Sequence, residues 1–220
     1  YILDQYIMQG GKTMWLIDKV HIDLDHLAND DQVALAAPMD LNLDDLFFKY
    51  GVRINPRLIQ DLFSTPVTAK NEDGSDLPID WLYSPTVRTE SNHLINKNVN
   101  LIKLEFANQI DTLNNGIKKT VILKSSPITK VVGAPVLVGL NQFMRELEEE
   151  EFKSGEQIVG TLLEGSFTSV FKNRVKPFKI NQPIENGKAN KMIVIADGDI
   201  INYTYANKKL LINGYDQWTQ

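Results

Sequence analysis

"MIVIADGDII", residues 192–201, drives an apolar run into Asp197-Gly198-Asp199. A short, non-alternating apolar run rich in β-branched residues suits a strand covered on both faces. The segment therefore predicts a central strand that delivers two carboxylates to a sheet end. Two other runs have the same character: "KTMWLI", residues 12–17, which ends at Asp18, and "KKTVILKSS", residues 118–126, which contains Ser125. Together they predict an α/β fold, a largely parallel or mixed sheet flanked by helices. The 220 residues suit one such domain over 1–220, with a loop- and strand-rich insertion around 64–100.

Two helices are expected beside these strands. "YILDQYIMQGG" has helical spacing, with Ile2, Tyr6 and Ile7 on one side before a Gly-Gly stop. "PMDLNLDDLFFKYGV" offers Asp40 or Asn42 as N-cap, Asp44 and Asp45 in its first turn and Gly51 at its end. Leu43, Leu46, Phe47 and Tyr50 then share a core face. "VRINPRLIQDLF" reads as extended, with Pro56 fixing a turn. "TAKNEDGSDLP" reads as a polar loop turning at Asp73-Gly74. "PIDWLYSPTV", with prolines at both ends, reads as a strand near an edge. "NVNLIKLEFANQIDTL" alternates from Leu101 to Phe106 and reads as a strand, with a helical turn over "LEFANQIDTL" as the alternative. "RELEEEEFKSG", residues 145–155, reads as a solvated helix or linker, and "EQIVGTLLEGSFTSVF" as a strand broken by Gly165.

Composition narrows the function. A net charge of −5 argues against a broad electrostatic grip on nucleic acid or an anionic membrane. With no cysteine there is no thiolate nucleophile, disulfide or Cys-ligated zinc. The longest near-apolar run, "VVGAPVLVGL", is half of a bilayer span. The chain opens at Tyr1 inside a helical pattern and reads as a piece of a longer protein, with any membrane anchor outside it.

Two aspartates two residues apart after an apolar strand are the first signature of haloacid-dehalogenase-type phosphatases, one nucleophile and one general acid. The remaining signatures are missing, since 21 residues follow Asp199. The same letters describe a turn whose carboxylates accept backbone N–H bonds. They also describe a binding loop, because ligands collect at strand C-termini in open α/β sheets. Asp18, Ser125, Asp197 and Asp199 are therefore the candidate ligand-binding residues. "HIDLDHL", residues 21–27, crowds two histidines and two aspartates into a pattern that suits either a first-row metal or a helix start in an exposed polar loop. "NEDGSD" fails as a calcium loop for want of Gly and Glu at the required positions. The one basic patch lies within "GSFTSVFKNRVKPFK", residues 165–179, where Phe171, Lys172, Arg174 and Lys176 could meet an anion or a partner, or could simply be core and solvated face. No nucleophile elbow or phosphate cradle is present. The residues predict no enzyme, resident metal or cofactor.

Several strings together resemble one family: "LDQYIMQGGKTMWLID" (3–18), "DLNLDDLFFKYGVRINPRLIQDL" (40–62), "NLIKLEFANQIDTL" (100–113), "LLEGSFTSVFKNR" (162–174), "IVIADGDII" (193–201) and "GYDQWT" (214–219). They are similar to GldG, the auxiliary, so-called substrate-binding component of the gliding-motility ABC transporter of Bacteroidetes. The resemblance implies an inner-membrane protein whose soluble region faces the periplasm and works with permease and ATPase subunits. It also implies an α/β fold reminiscent of glutamine-amidotransferase-like and intraflagellar-transport domains, serving assembly rather than catalysis. It carries over no ligand and no site residue.

Overall fold

The computed structural model describes residues 1–70, 75–89, 93–143, 147–202, 205–206 and 209–210. The turn expected at Asp73-Gly74 and the string 214–219 lie outside them. In chain order the strands are β1 (Thr13–Leu16), β2 (Val20–His21), β3 (Val33–Pro38), β4 (Val52–Asp61) and β5 (Ser64–Lys70). Next come β6 (Asp76–Val87), β7 (Ile102–Lys103), β8 (Asn108–Thr112), β9 (Lys118–Lys124) and β10 (Thr129–Gly133). They end with β11 (Val136–Gly139), β12 (Ile158–Thr168), β13 (Asn186–Ile195), β14 (Tyr205–Ala206) and β15 (Lys209–Leu210). The α-helices are α1 (Ile2–Met8) and α2 (Asp44–Tyr50).

All three apolar runs enter one four-stranded sheet, ordered β1-β13-β12-β9. It is mixed: β1 and β13 pair in parallel, while β12 is antiparallel to both β13 and β9. Of the two arrangements expected, largely parallel or mixed, the sheet takes the mixed one, and the rest of the pairing is antiparallel. The parallel pair joins segments about 180 residues apart in sequence, and the polypeptide between them is mostly β. The architecture is α/β in kind but poor in helix, with two α-helices of 7 residues.

The continuous apolar runs still have the expected cause, since both faces of the sheet are covered. On one face Trp15, Leu163, Phe167, Met192 and Val194 pack with Ile7 and Met8 of α1 and with Leu46, Phe47 and Tyr50 of α2. On the other, Leu16, Leu162, Ile193 and Ile195 meet Ile59, Val87, Leu104 and Ala107. Strands and a loop cover that second face where helices were expected. Each fully buried side chain of this size stabilises the fold by about 1.5–3 kcal/mol. A third cluster sets Trp81, Tyr83, Leu58 and Phe106 against β2, β3 and β11 through Val20, Ala36 and Val138.

Helix α2 buries the face its spacing predicts and ends at Gly51, whose φ of 102° is left-handed; its N-cap is Leu43, with no side-chain cap. Helix α1 is turned the other way. It buries Asp4, Gln5, Ile7 and Met8, while Ile2, Leu3 and Tyr6 are 72%, 52% and 50% exposed. The cause is a polar anchor beneath it. Asp4 accepts hydrogen bonds from the Tyr50 hydroxyl (3.0 Å), Ser169 Oγ (2.7 Å) and the Val170 N–H (2.9 Å). The Gln5 amide meets both backbone groups of Ile184. Buried polar groups so satisfied are tolerated in a core.

Other local expectations shift for identifiable reasons. Pro56 makes a register irregularity between Ile54 and Leu58 of a continuous β4, not a turn. β6 lies between β5 and β7, so its prolines do not put it at an edge. The strand read from the segment 98–113 is two, β7 and β8, because Phe106 at φ 52° carries the chain from one sheet to another. β12 continues through Gly165, and its irregularity falls between Ser166 and Thr168. The acidic run contains a 3-10 turn over Glu149–Glu151 followed by a buried Phe152.

Candidate functional site

Parallel pairing brings two acids together. The register runs from Thr13↔Met192 to Leu16↔Ile195, and the Ile17 N–H donates to the Ile195 carbonyl at 3.0 Å. Both strands therefore end in an aspartate at the same edge, Asp18 and Asp197. The chain then turns through a 3-10 segment, Asp199–Ile201, which brings in a third acid. Carboxylate oxygens of Asp18, Asp197 and Asp199 lie within 4.8 Å of one another, close enough to hold a cation between them.

The three acids have different partners. Asp197 is wholly buried; Oδ1 accepts the N–H groups of Asp199 (2.8 Å) and Ile200 (2.9 Å), and Oδ2 accepts that of Glu105 (2.8 Å). Asp18 Oδ1 accepts the Gly198 N–H at 2.7 Å. Asp199 Oδ1 accepts from Asn202 Nδ2 at 2.5 Å. Burial pushes the Asp197 carboxyl up to about 7; the amide bonds oppose this, and the charges of Asp18 and Asp199 add to it. Burial, then repulsion from Asp18, Glu105 and Asp23, pushes Asp199 up to about 6. Burial also raises Asp18 and Glu105, the latter against the attraction of Lys103. An enclosed carboxylate with both oxygens committed to amides is not placed to attack phosphorus. Asp197 instead ties the end of β13 to the segment between β7 and β8.

Ser125 is not part of this corner. β9 runs in the same direction as β13 with β12 between them, so Ser125 sits at the same edge two strands away. Its hydroxyl accepts the Gln157 N–H at 2.8 Å and donates to the Ser126 carbonyl, and it lines a separate cavity of about 370 Å³. His21 and His26 also stay outside the acid cluster. Asp23 and His26 form a reciprocal capping box around the 3-10 turn Leu24–Leu27, and the two imidazoles meet edge to face at 4.9 Å. Among the described residues, no histidine joins a cluster of three ligating side chains.

Two charges of the basic stretch are paired within the chain and a third cation is hydrogen-bonded there. Arg174 pairs with Asp45 at 2.5 Å, Lys176 with Glu185 at 3.2 Å, and Lys172 donates to Asn186 Oδ1 at 2.9 Å. Phe171 and Phe178 flank Tyr1 at 4.8 and 5.3 Å, whereas Phe167 is core. Sequence reasoning missed Glu105, which its alternation placed on a plain strand, and Asp4, whose inward orientation no periodicity signals.

A helix-poor α/β domain with carboxylates at the ends of its parallel strands is the class that fold and site define. The chain belongs to the auxiliary-component family of an ABC-type uncharacterized transport system, whose model matches residues 1–220. No curated protein matches it. No solved structure does either. Membership makes the chain an accessory component of a transport system, the coarser part of what the resemblance implied. Among the described residues, no helix is long and apolar enough to cross a membrane.

Proposed function

We propose that this chain is a non-enzymatic, extracytoplasmic part of a GldG-like accessory protein, working by protein contacts within an ABC transporter linked to gliding motility. Its partners are the permease and ATPase subunits. Membrane anchoring comes from segments outside this stretch, and the soluble region faces the periplasm. The observation that carries the reading is the exposed apolar side of α1: Ile2, Leu3 and Tyr6 face outward, while Asp4 and Gln5 are buried beside Ile7 and Met8. An apolar helix face turned to solvent is the kind of surface a protein partner covers. Family membership supplies the kind of partner.

The test is Ile2→Asp with Leu3→Asp, expressed with the transporter subunits. Acids in the first turn of a helix suit its dipole, so the fold is retained. Co-purification with the permease should fall sharply at an unchanged melting midpoint. Undiminished assembly would refute the docking role of α1. The alternative reading, a receptor for a small ligand at the strand ends, draws on the convergence of Asp18, Asp197 and Asp199. It requires a ligand-dependent rise in the midpoint that Asp199→Ala abolishes.

A further inference from the structure

At the far side of the sheet edge, the cavity beside Ser125 has a composition that the docking reading does not use. Leu62, Phe63, Pro127 and Ile128 give it an apolar lining, and Arg88 and Lys124 bring cations to it. Lys124 Nζ is engaged by Glu156 at 2.9 Å. The Arg88 guanidinium lies over the Phe63 ring, 5.2 Å from its centroid, and among the described residues it meets no carboxylate. Among the described residues the site therefore has one uncompensated positive charge above an apolar floor.

Its walls are fixed from beneath. Asp61 is wholly buried and its carboxylate accepts the N–H of Phe63 (2.8 Å), the N–H of Ser126 (2.8 Å) and the Ser126 hydroxyl (2.5 Å). Ser126 Oγ in turn accepts the Ile128 N–H at 3.1 Å. Arg88 is held opposite by its backbone bridge to Lys124. One buried acid thus sets both the stacking ring and the facing loop, so little ordering remains to be done on binding. The volume, about 370 Å³, falls in the range of small-ligand sites.

We propose that this cavity binds a monocarboxylate carried on an apolar body, with the carboxylate paired to the Arg88 guanidinium and the body lying against Phe63 and Ile128. One guanidinium fork matches one carboxylate with two parallel N–H bonds. A phosphate would bring more negative charge than the one cation unpaired among the described residues compensates. The same chemistry is offered by a free branched-chain acid and by the C-terminal leucine of a polypeptide. The inference does not depend on the α1 docking surface, and loss of either leaves the other standing.

The experiment is calorimetric titration of the chain with N-acetyl-leucine, with N-acetyl-leucinamide, and with a tetrapeptide ending in leucine as free acid or amide. The acids should bind and the amides should not. Binding of both acids assigns the source to any leucine-like carboxylate, and binding of the peptide acid alone assigns it to a chain terminus; either supports the site. Arg88→Gln should weaken binding by at least about tenfold, and Arg88→Lys should retain part of it. Arg88 is exposed, so both variants should melt with the wild type. Equal binding of acid and amide, binding unchanged in Arg88→Gln, or no binding of either acid up to about 10 mM would overturn the proposal.

Discussion

Asp18 and Asp197 stand side by side on parallel neighbours, each two residues past the last paired positions Leu16 and Ile195, and the Asp18 carboxylate holds the N–H of Gly198. One bond between residues far apart in sequence thus fastens β1 to the turn that leaves β13. It also sets two acids close together with a third, Asp199, so the corner is held by hydrogen bonds and strained by charge.

That strain has a sign. A carboxyl whose folded pKa lies above its unfolded value binds more protons folded than unfolded between the two values, so its contribution to stability falls as pH rises through that window. The window runs from 3.8 to about 6 for Asp199 and from 3.8 to about 7 for Asp197. Asp199→Asn keeps an acceptor for Asn202 and removes one charge. Its melting midpoint should match the wild type at pH 4 and exceed it by about 2 °C or more at pH 8. A difference between the two proteins that does not change with pH would show that the acids do not repel.

Gly198→Ala tests the fastening itself. Gly198 has an ordinary helical conformation, so backbone strain is not at issue. A Cβ there would fall on Asp18 Oδ2. Displacing that carboxylate should cost about 1–3 kcal/mol in urea unfolding. Asp18→Ser should cost less in the Gly198→Ala background than alone, since the collision is then relieved. Strict additivity would mean that the two residues do not meet.

Gly51 presents the opposite case. Its φ of 102° is left-handed, and a Cβ would come within 2.5 Å of Asn115 Oδ1 and 2.7 Å of Lys119 Cε. Asn115 is not free to retreat, because its Nδ2 donates to the Lys49 carbonyl at the end of α2. Gly51→Ala should therefore lose about 1–3 kcal/mol. A loss in the tenths would indicate that the helix end adjusts.

What the sequence revealed follows from how local each signal is. Strand-forming apolar runs at 12–17, 118–126 and 191–199 were legible because burial on both faces erases alternation, and the structure unites them in one sheet. Their direction was not legible, since nothing in a strand's own residues says which segment pairs with it; β12, antiparallel and central, decides that. The face of α2 was legible from Leu46, Phe47 and Tyr50, all apolar and all buried. That of α1 was not, because Asp4 is drawn inward by Tyr50, Ser169 and Val170, residues 46 to 166 positions away. Asp18, Asp197 and Asp199 were legible as strand-end acids. Glu105, which completes their environment, arrives through the positive φ of Phe106.

The reversed helix yields the last prediction. Asp4→Ala removes the acceptor for the Tyr50 hydroxyl, the Ser169 hydroxyl and the Val170 N–H, and leaves all three donors in a buried site. Each orphaned group costs about 1–3 kcal/mol, so the variant should lose at least about 3 kcal/mol in urea unfolding. Asp4→Asn keeps one carbonyl oxygen and should lose less. Burial and the Asp4 charge together hold the Tyr50 hydroxyl far above its ordinary range, so Asp4→Asn should also bring that titration down in ultraviolet absorbance. Ile2→Ser and Leu3→Ser, on the exposed side of the same helix, should shift stability by no more than about 0.5 kcal/mol. If the apolar substitutions proved the costly ones, α1 would have to pack with its other face inward, and the surface assigned to the transporter partner would vanish with it.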